Sequence, residues 1–217
     1  VSMVALDLNY INKAMMASLN PAIPVYDADW VAEYGADRFL AEAGVSIIHS
    51  HMVSLDIFFL EQCNIKTEIP YVVTLHGSYE AANLPSDVLS RIHARVKHWF
   101  YLADKNLAPF RKHGLPTENF TKVGNAVPHD PRPFPKTREE LGIAHDAVVF
   151  TLVARGIKRK GWRAAIRAFK QLRDSIPERR MHLLLAGEGE EADHQRELHG
   201  DDPNITFLGF QSNIVGL

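Results

Sequence analysis

Short apolar stretches alternate with amphipathic stretches along most of this 217-residue chain. The apolar stretches are continuous and rich in β-branched residues, which is typical of buried strands. They predict strands over residues 4–8, 23–26, 45–49, 71–75, 148–154, 182–186 and 205–208. The stretches between them predict helices over residues 10–19, 30–42, 54–62, 86–102, 161–174 and 190–198. This alternation indicates an α/β fold with parallel sheets that helices cover on both faces.

A proline-rich segment interrupts the alternation. Four prolines fall between residues 127 and 136, where neither a helix nor an interior strand can form. The segment predicts an N-terminal Rossmann-like domain over residues 1–130 that lacks its first strand, and a linker over residues 131–146. Residues 147–217 are then the first half of a second Rossmann-like domain. We therefore expect the sequence to be a fragment of a longer protein.

The composition narrows the functional classes. The net charge is -2 and the pI is about 6.6, which argues against a dedicated nucleic-acid binder. Cys63 is the only cysteine, so an internal disulfide and a cysteine-rich metal site are both excluded. A single cysteine also fits a reducing environment. No apolar run approaches the roughly 20 residues of a membrane-spanning helix. We expect a cytoplasmic protein, with the inner face of a membrane as the alternative location.

The transition from strand to helix near residue 155 carries the strongest functional signal. The predicted strand over residues 148–154 leads to Arg155, and a helix follows from Gly161 with Trp162 and Ile166 on its apolar face. Such a transition places unpaired backbone N–H groups and the positive end of the helix dipole at the strand's carboxyl end. Arg155 and Lys160 add two cations there. The pattern predicts a diphosphate site that needs no metal.

The same segment also allows simpler interpretations. Eight Lys or Arg residues and no acidic residue lie between Arg155 and Arg173. We expect Arg163, Arg167, Lys170 and Arg173 to form only a solvated helix face. A nucleic-acid patch would also need clustered cations, but the net charge of the chain argues against it.

Three histidines are predicted at the ends of neighbouring strands. His49 and His51 share one face by strand periodicity, and His76 precedes Gly77 at the end of the next strand. In a parallel sheet these side chains would point into the crevice beyond the carboxyl ends of the strands. Imidazoles there could bind a sugar hydroxyl or a phosphate, or act as acid or base. Hydrogen-bonded histidines packed at a strand end, and a zinc triad, are the alternatives.

A second glycine-containing turn follows the strand over residues 182–186. Gly187, Glu188 and Gly189 permit a tight turn and a close approach of the backbone to a ligand. The dinucleotide fingerprint would require a third glycine where Ala192 stands. A nicotinamide-dependent dehydrogenase is therefore not expected.

Two further patterns have simple structural explanations. Asp27 and Asp29 could hold a divalent cation, but Asp29 as the N-cap of a helix is simpler. Residues 90–101 combine cations with aromatic residues, which could dock on an anionic membrane. The helical spacing of Leu89, Ile92 and Val96 favours packing on the sheet instead.

Several segments together resemble the family 4 retaining glycosyltransferases, which have two facing Rossmann-like domains (the GT-B fold). Each segment alone is a loose match, whereas their order and spacing are specific. They are residues 47–51 (IIHSH), 72–77 (VVTLHG), 103–105 (ADK), 123–127 (VGNAV), Arg155 with Lys160 and Gly161, 184–189 (LLAGEG) and 205–209 (ITFLG).

The resemblance implies a retaining transfer of a sugar from a nucleotide-sugar donor to a glycan, lipid or small-molecule acceptor, without a metal or another cofactor. It assigns Arg155 and Lys160 to the donor's diphosphate. From the helix start and the second glycine-containing turn, we add Gly161, Gly187 and Glu188 as predicted donor-binding positions. It places one strand-end histidine near the transferred sugar, which makes His76, His49 and His51 the catalytic candidates.

The resemblance also sets limits. The paired glutamates that hold the donor's ribose and sugar in this family would lie beyond Leu217, so we expect this fragment alone to be inactive. Residues 125–128 are Asn-Ala-Val-Pro where the family usually has Asn-Gly-Val-Asp. A non-catalytic nucleotide- or sugar-binding module and a GT-B epimerase or phosphorylase relative remain as alternatives.

Overall fold

The computed structural model describes residues 1–8, 16, 19–126, 133–211, 213 and 214. The chain forms two compact units, Val1–Ala126 and Val127–Leu217, which we call the N-unit and the C-unit. Most of the helix predicted over residues 10–19, and residues 127–132 of the proline-rich segment, lie outside the described residues.

All described strands of the N-unit are parallel. Two short strands pair with each other, and four others form a sheet in which they lie in chain order. The pair is β1 (Met3–Ala5) and β2 (Val25–Asp27), and the sheet is β3 (Ile48–Ser50), β4 (Tyr71–Leu75), β5 (His98–Tyr101) and β6 (Phe120–Lys122). Every residue of β4 is buried, because this strand has a neighbour on each side and helices cover the sheet.

Short helices connect these strands. They are α1 (Ala28–Tyr34), α2 (Ala36–Glu42), α3 (Val53–Asp56), α4 (Ser78–Ala82), α5 (Ser86–Arg95) and α6 (Ala108–Lys112). A π-helical turn (Ile57–Gln62) continues α3, and a 3-10 turn (Asp104–Leu107) precedes α6.

The helix predicted over residues 30–42 is in fact two helices. Gly35, with a φ of 96°, separates α1 from α2 in a backbone conformation that residues other than glycine rarely adopt. The N-cap of α1 is Asp27, not the predicted Asp29, since Asp27 Oδ1 accepts a hydrogen bond from the backbone N–H of Asp29 at 2.9 Å.

The prediction of a helix over residues 86–102 was wrong at the carboxyl end of the helix. Helix α5 ends at Arg95, and residues 98–101 form β5. Trp99 is fully buried in this strand and stacks on Phe120 at a ring-centroid distance of 5.3 Å. Burial of aromatic side chains in the sheet outweighs the helical spacing that the sequence suggests. Arg91 pairs with Glu61, which agrees with packing of α5 in the N-unit.

The C-unit contains a second parallel sheet. Its described strands are β7 (Val148–Val153), β8 (Met181–Ala186) and β9 (Ile205–Gly209), again in chain order. The connections are a 3-10 turn (Lys158–Lys160), helix α7 (Trp162–Ser175) and helix α8 (Glu190–His199). The central strand β8 is buried throughout.

Two apolar clusters cover the C-unit sheet. Trp162, Ile166 and Phe169 of α7 pack in one of them, which confirms the apolar face predicted for this helix. Ile143 and Ala147, which precede β7, pack against Leu184 in the other. These two residues therefore belong to the core of the C-unit.

Strand β7 is less buried than its sequence predicts. Its side chains Phe150 and Val153 are 39% and 45% exposed. The reason is its position, because β7 lies at the edge of the described sheet and pairs only with β8.

The predicted α/β fold class is confirmed: the described sheets are parallel and have a Rossmann-like strand order. No helix among the described residues is long and apolar enough to cross a membrane.

Candidate functional site

The carboxyl edge of the N-unit sheet brings the three predicted histidines together. His49 lies within β3, His51 follows that strand, and His76 follows β4. Strands β3 and β4 are parallel and paired, with His49 beside Val72. Their carboxyl ends therefore meet at one edge of the sheet, as the sequence predicts.

The histidine cluster is ordered by hydrogen bonds. His51 Nδ1 lies 3.0 Å from His76 Nε2, so one ring donates to the other. His49 Nε2 is hydrogen-bonded to Oγ1 of the buried Thr74 at 2.8 Å. The rings of His49 and His51 are 4.3 Å apart between centroids and tilted by 35°. Three imidazoles thus occupy one small polar region.

Burial and the repulsion between neighbouring rings favour the neutral form of His49 and His51. Partial burial lowers the pKa of His49 below its usual range, and the nearby His76 lowers it further. Burial also lowers the pKa of His51, with smaller contributions from His49 and His76. Neutral imidazoles with one N–H and one lone pair can donate to, or accept from, a sugar hydroxyl, and can take up a proton.

The sequence analysis missed a buried carboxylate in the same unit. Asp56 is 0% exposed and accepts hydrogen bonds from the hydroxyls of Tyr71 at 2.8 Å and Tyr79 at 2.7 Å. Burial raises the pKa of Asp56, while hydrogen bonds from Ser50, Tyr79 and Tyr71 oppose this rise. The available signal was an acidic residue inside the apolar stretch of residues 53–60.

In the C-unit, the turn after β7 presents the two predicted cations. The side chains of Arg155 and Lys160 are exposed and form no hydrogen bond or ion pair with any other described residue. The indole Nε1 of the fully buried Trp162 donates to the backbone carbonyl of Arg155 at 2.9 Å. This bond fixes the backbone of the turn while leaving both cations available to an anion.

Helix α7 begins directly after this turn. Its N-cap, Gly161, has a φ of 77°, and no described side chain caps the helix. The first N–H groups of a helix lack partners within it, and they carry the positive end of its dipole. The arrangement places two cations in the turn before the N-terminus of a helix, and the anion site at this position stays a prediction.

The two glycine-containing turns of the C-unit pack against each other. The N–H of Gly156 donates to the carbonyl of Glu188 at 2.7 Å. A Cβ on Gly187 would lie 1.9 Å from the carbonyl oxygen of Ala154, and one on Gly156 would lie 2.6 Å from Ala192 Cβ. The structure thus gives Gly187 a packing role, while the side chain of Glu188 is exposed.

The basic face of α7 is only partly the solvated surface that we expected. Arg163 and Arg167 are exposed. Arg173 instead donates to both carboxylate oxygens of Asp202, at 2.9 and 3.0 Å, and Lys170 lies 3.7 Å from the same carboxylate. Asp202 precedes β9 and is distant in sequence from Arg173 and Lys170, so these contacts form only when α7 packs in the folded C-unit.

The described residues contain no cluster of potential metal ligands. Within residues 1–8, 16, 19–126, 133–211, 213 and 214, no three His, Cys, Asp or Glu side chains are arranged to hold a metal ion.

The sequence matches no known family model, and no curated protein is significantly similar to it. Solved structures do share its fold. Anabaena HepE in complex with UDP and glucose is 18% identical, with a TM-score of 0.69 over 94% of this chain and 60% of that protein. The same protein in complex with UDP-glucose gives 19% identity and a TM-score of 0.68.

A glycosyltransferase from Rickettsia africae is similar to the same extent. It is 14% identical, with a TM-score of 0.70 over 99% of this chain and 61% of that protein. The chain therefore has the fold of a solved glycosyltransferase and spans about 60% of the length of these structures.

Proposed function

We propose that this chain belongs to a retaining glycosyltransferase of family 4, which moves a sugar from a nucleotide-sugar donor to an acceptor. The observation that carries the proposal is the turn after β7, where Arg155 and Lys160 precede the start of α7. Among the described residues neither side chain has a partner, and none caps the helix. Because the fold is that of a glycosyltransferase, a nucleotide diphosphate is the anion that this turn fits best.

Transfer of the sugar requires that the leaving group of the donor is stabilised. As the glycosidic bond breaks, negative charge accumulates on the nucleoside diphosphate. Arg155, Lys160 and the N–H groups at the start of α7 would stabilise that charge electrostatically, in place of a metal ion. The complexes of HepE with UDP and UDP-glucose favour a uridine nucleotide as the donor's leaving group.

The histidine cluster is proposed to act near the transferred sugar. His51 and His76 form a hydrogen-bonded pair with one exchangeable proton between them, and His49 is held by Thr74. His76 is followed by Gly77, which has a φ of 96° and no side chain that could block a ligand beside the imidazole. We assign His76 the closest position to the sugar, with His51 as its partner.

The test is a transfer assay on the longer protein of which we expect this sequence to be a fragment, because we expect the fragment alone to be inactive. Incubation with UDP-sugars and glycan, lipid or small-molecule acceptors should release UDP and form a product in which NMR shows the anomeric configuration of the donor. Arg155→Ala should lower kcat/KM strongly, whereas Arg163→Ala, on the exposed face of α7, should not. A product with inverted configuration, or turnover that is equal in both variants, would contradict the proposal.

A further inference from the structure

A buried network joins the two loops that carry His51 and His76. The hydroxyl of Tyr79, which lies three residues after His76, donates to Asp56 Oδ2 at 2.7 Å. The hydroxyl of Ser50, which precedes His51, also interacts with this carboxylate and lowers its pKa. Asp56 therefore interacts with one residue near each of the two histidines.

A backbone contact joins the same two loops. The N–H of Val53, two residues after His51, donates to the hydroxyl of Ser78 at 3.3 Å, and Ser78 lies two residues after His76. The loops are thus connected beside the imidazoles as well as through Asp56.

We propose that Asp56 is a positioning residue, which fixes the loops after β3 and β4 relative to each other and so holds His51 and His76 within hydrogen-bond distance. Asp56, Tyr79 and Ser50 are all buried, so this network is shielded from water. A carboxylate can accept several hydrogen bonds at once, which an apolar residue of similar size cannot do. The role of the His51–His76 pair in sugar transfer rests on the proposed function. The claim that Asp56 positions this pair does not.

Tyr71 supplies a matched control for this proposal. It donates to the other oxygen of the same carboxylate at 2.8 Å and is as deeply buried as Tyr79. However, Tyr71 begins β4, whose backbone is held by β3 and β5 on its two sides. Loss of its hydroxyl should therefore cost stability without moving His76, whereas loss of the Tyr79 hydroxyl should free the loop that follows His76.

The experiment measures the titration of His51 by NMR, with ¹⁵N-labelled histidine and the assignment from His51→Gln. The nearby His76 contributes to the lowered pKa of His51 in the folded protein. In Tyr79→Phe the pKa of His51 should rise, because His76 moves away from His51 and repels its proton less. Tyr71→Phe should leave the pKa of His51 unchanged.

Asp56→Asn should behave like Tyr79→Phe if it folds, and Tyr79→Phe alone decides the question if it does not. An unchanged pKa of His51 in Tyr79→Phe, or an equal change in both tyrosine variants, would overturn the positioning role. The measurement needs no donor or acceptor, so its outcome is independent of the transfer assay. A raised pKa of His51 in Tyr79→Phe, together with no transfer by the longer protein, would contradict the proposed function alone.

Discussion

The Nδ1 atom of His51 lies 3.0 Å from the Nε2 atom of His76, so two residues that are 25 positions apart share a hydrogen bond at one edge of the N-unit sheet. The pair exists because β3 and β4 are parallel and paired, and each histidine directly follows the last residue of one of these strands. This contact is the part of the candidate site that a pH titration can examine most directly.

The first prediction concerns the pH dependence of stability. The pKa of His51 is lower in the folded state than in the unfolded chain, so the unfolded state binds more protons. The contribution of His51 is therefore fully present above the ordinary histidine value of about 6.5 and is lost as the pH falls through that value towards the lower folded pKa.

Denaturant unfolding of the wild type and of His51→Gln at several pH values checks this sign. The stability of the wild type relative to the variant should decrease as the pH is lowered from about 8 to about 5. A difference that increases towards acidic pH would mean that His51 is stabilised in its charged form.

The second prediction concerns the glycine turns of the C-unit. Gly187→Ala would place a Cβ 1.9 Å from the carbonyl oxygen of Ala154, at a φ of 136°. The backbone would have to move, and we expect a loss of more than about 3 kcal/mol in the free energy of unfolding.

Gly142→Ala is the control, since its φ is 69° and nothing lies within 4 Å of the added Cβ. It should cost only the strain of a left-handed backbone, about 1 to 2 kcal/mol. Chemical denaturation of both variants measures the difference, and equal losses would show that the two turns are not in close contact.

The third prediction concerns the ion pair between Arg173 and Asp202. Their side chains are 28% and 13% exposed, so the pair is partly shielded from solvent. We expect Arg173→Ala to lower the free energy of unfolding by about 1 kcal/mol, more than Arg167→Ala on the exposed part of the same helix. Denaturation at low and high salt measures both effects, and an equal loss in the two variants would contradict the assigned pairing.

Strand periodicity and parallel pairing were enough to predict where the histidines lie. The sequence places His49 and His51 on one face, and His76 at the end of the next strand. The structure adds the side-chain contacts between segments that are distant in the sequence. Asp56 meets Tyr71 and Tyr79 only after the sheet and its helices have packed, so its position in an apolar stretch was visible in the sequence but its partners were not.

Secondary structure was predictable where the spacing of the apolar residues fitted only a helix or only a strand. The apolar face of α7, with Trp162 and Ile166, is an example. It was not predictable where two patterns competed: residues 96–101 have helical spacing, but Trp99 is buried among aromatic residues as part of β5. The pairing of Arg173 with Asp202 was missed for the reason that applies to Asp56, since it joins distant segments.

The fourth prediction tests the central claim, that Arg155 and Lys160 hold a nucleotide diphosphate without a metal. The measurement is an NMR titration of the protein with UDP, with and without a chelator, for the wild type and for Arg155→Ala, Lys160→Ala and Arg163→Ala. Each of the first two variants removes a charge-assisted hydrogen bond and should weaken binding by about 1.5–3 kcal/mol, whereas Arg163→Ala should leave it unchanged. Signals of residues 155–162 should shift in the wild type whether or not the chelator is present. Binding that the chelator abolishes, or that all three variants weaken equally, would contradict the metal-free diphosphate site.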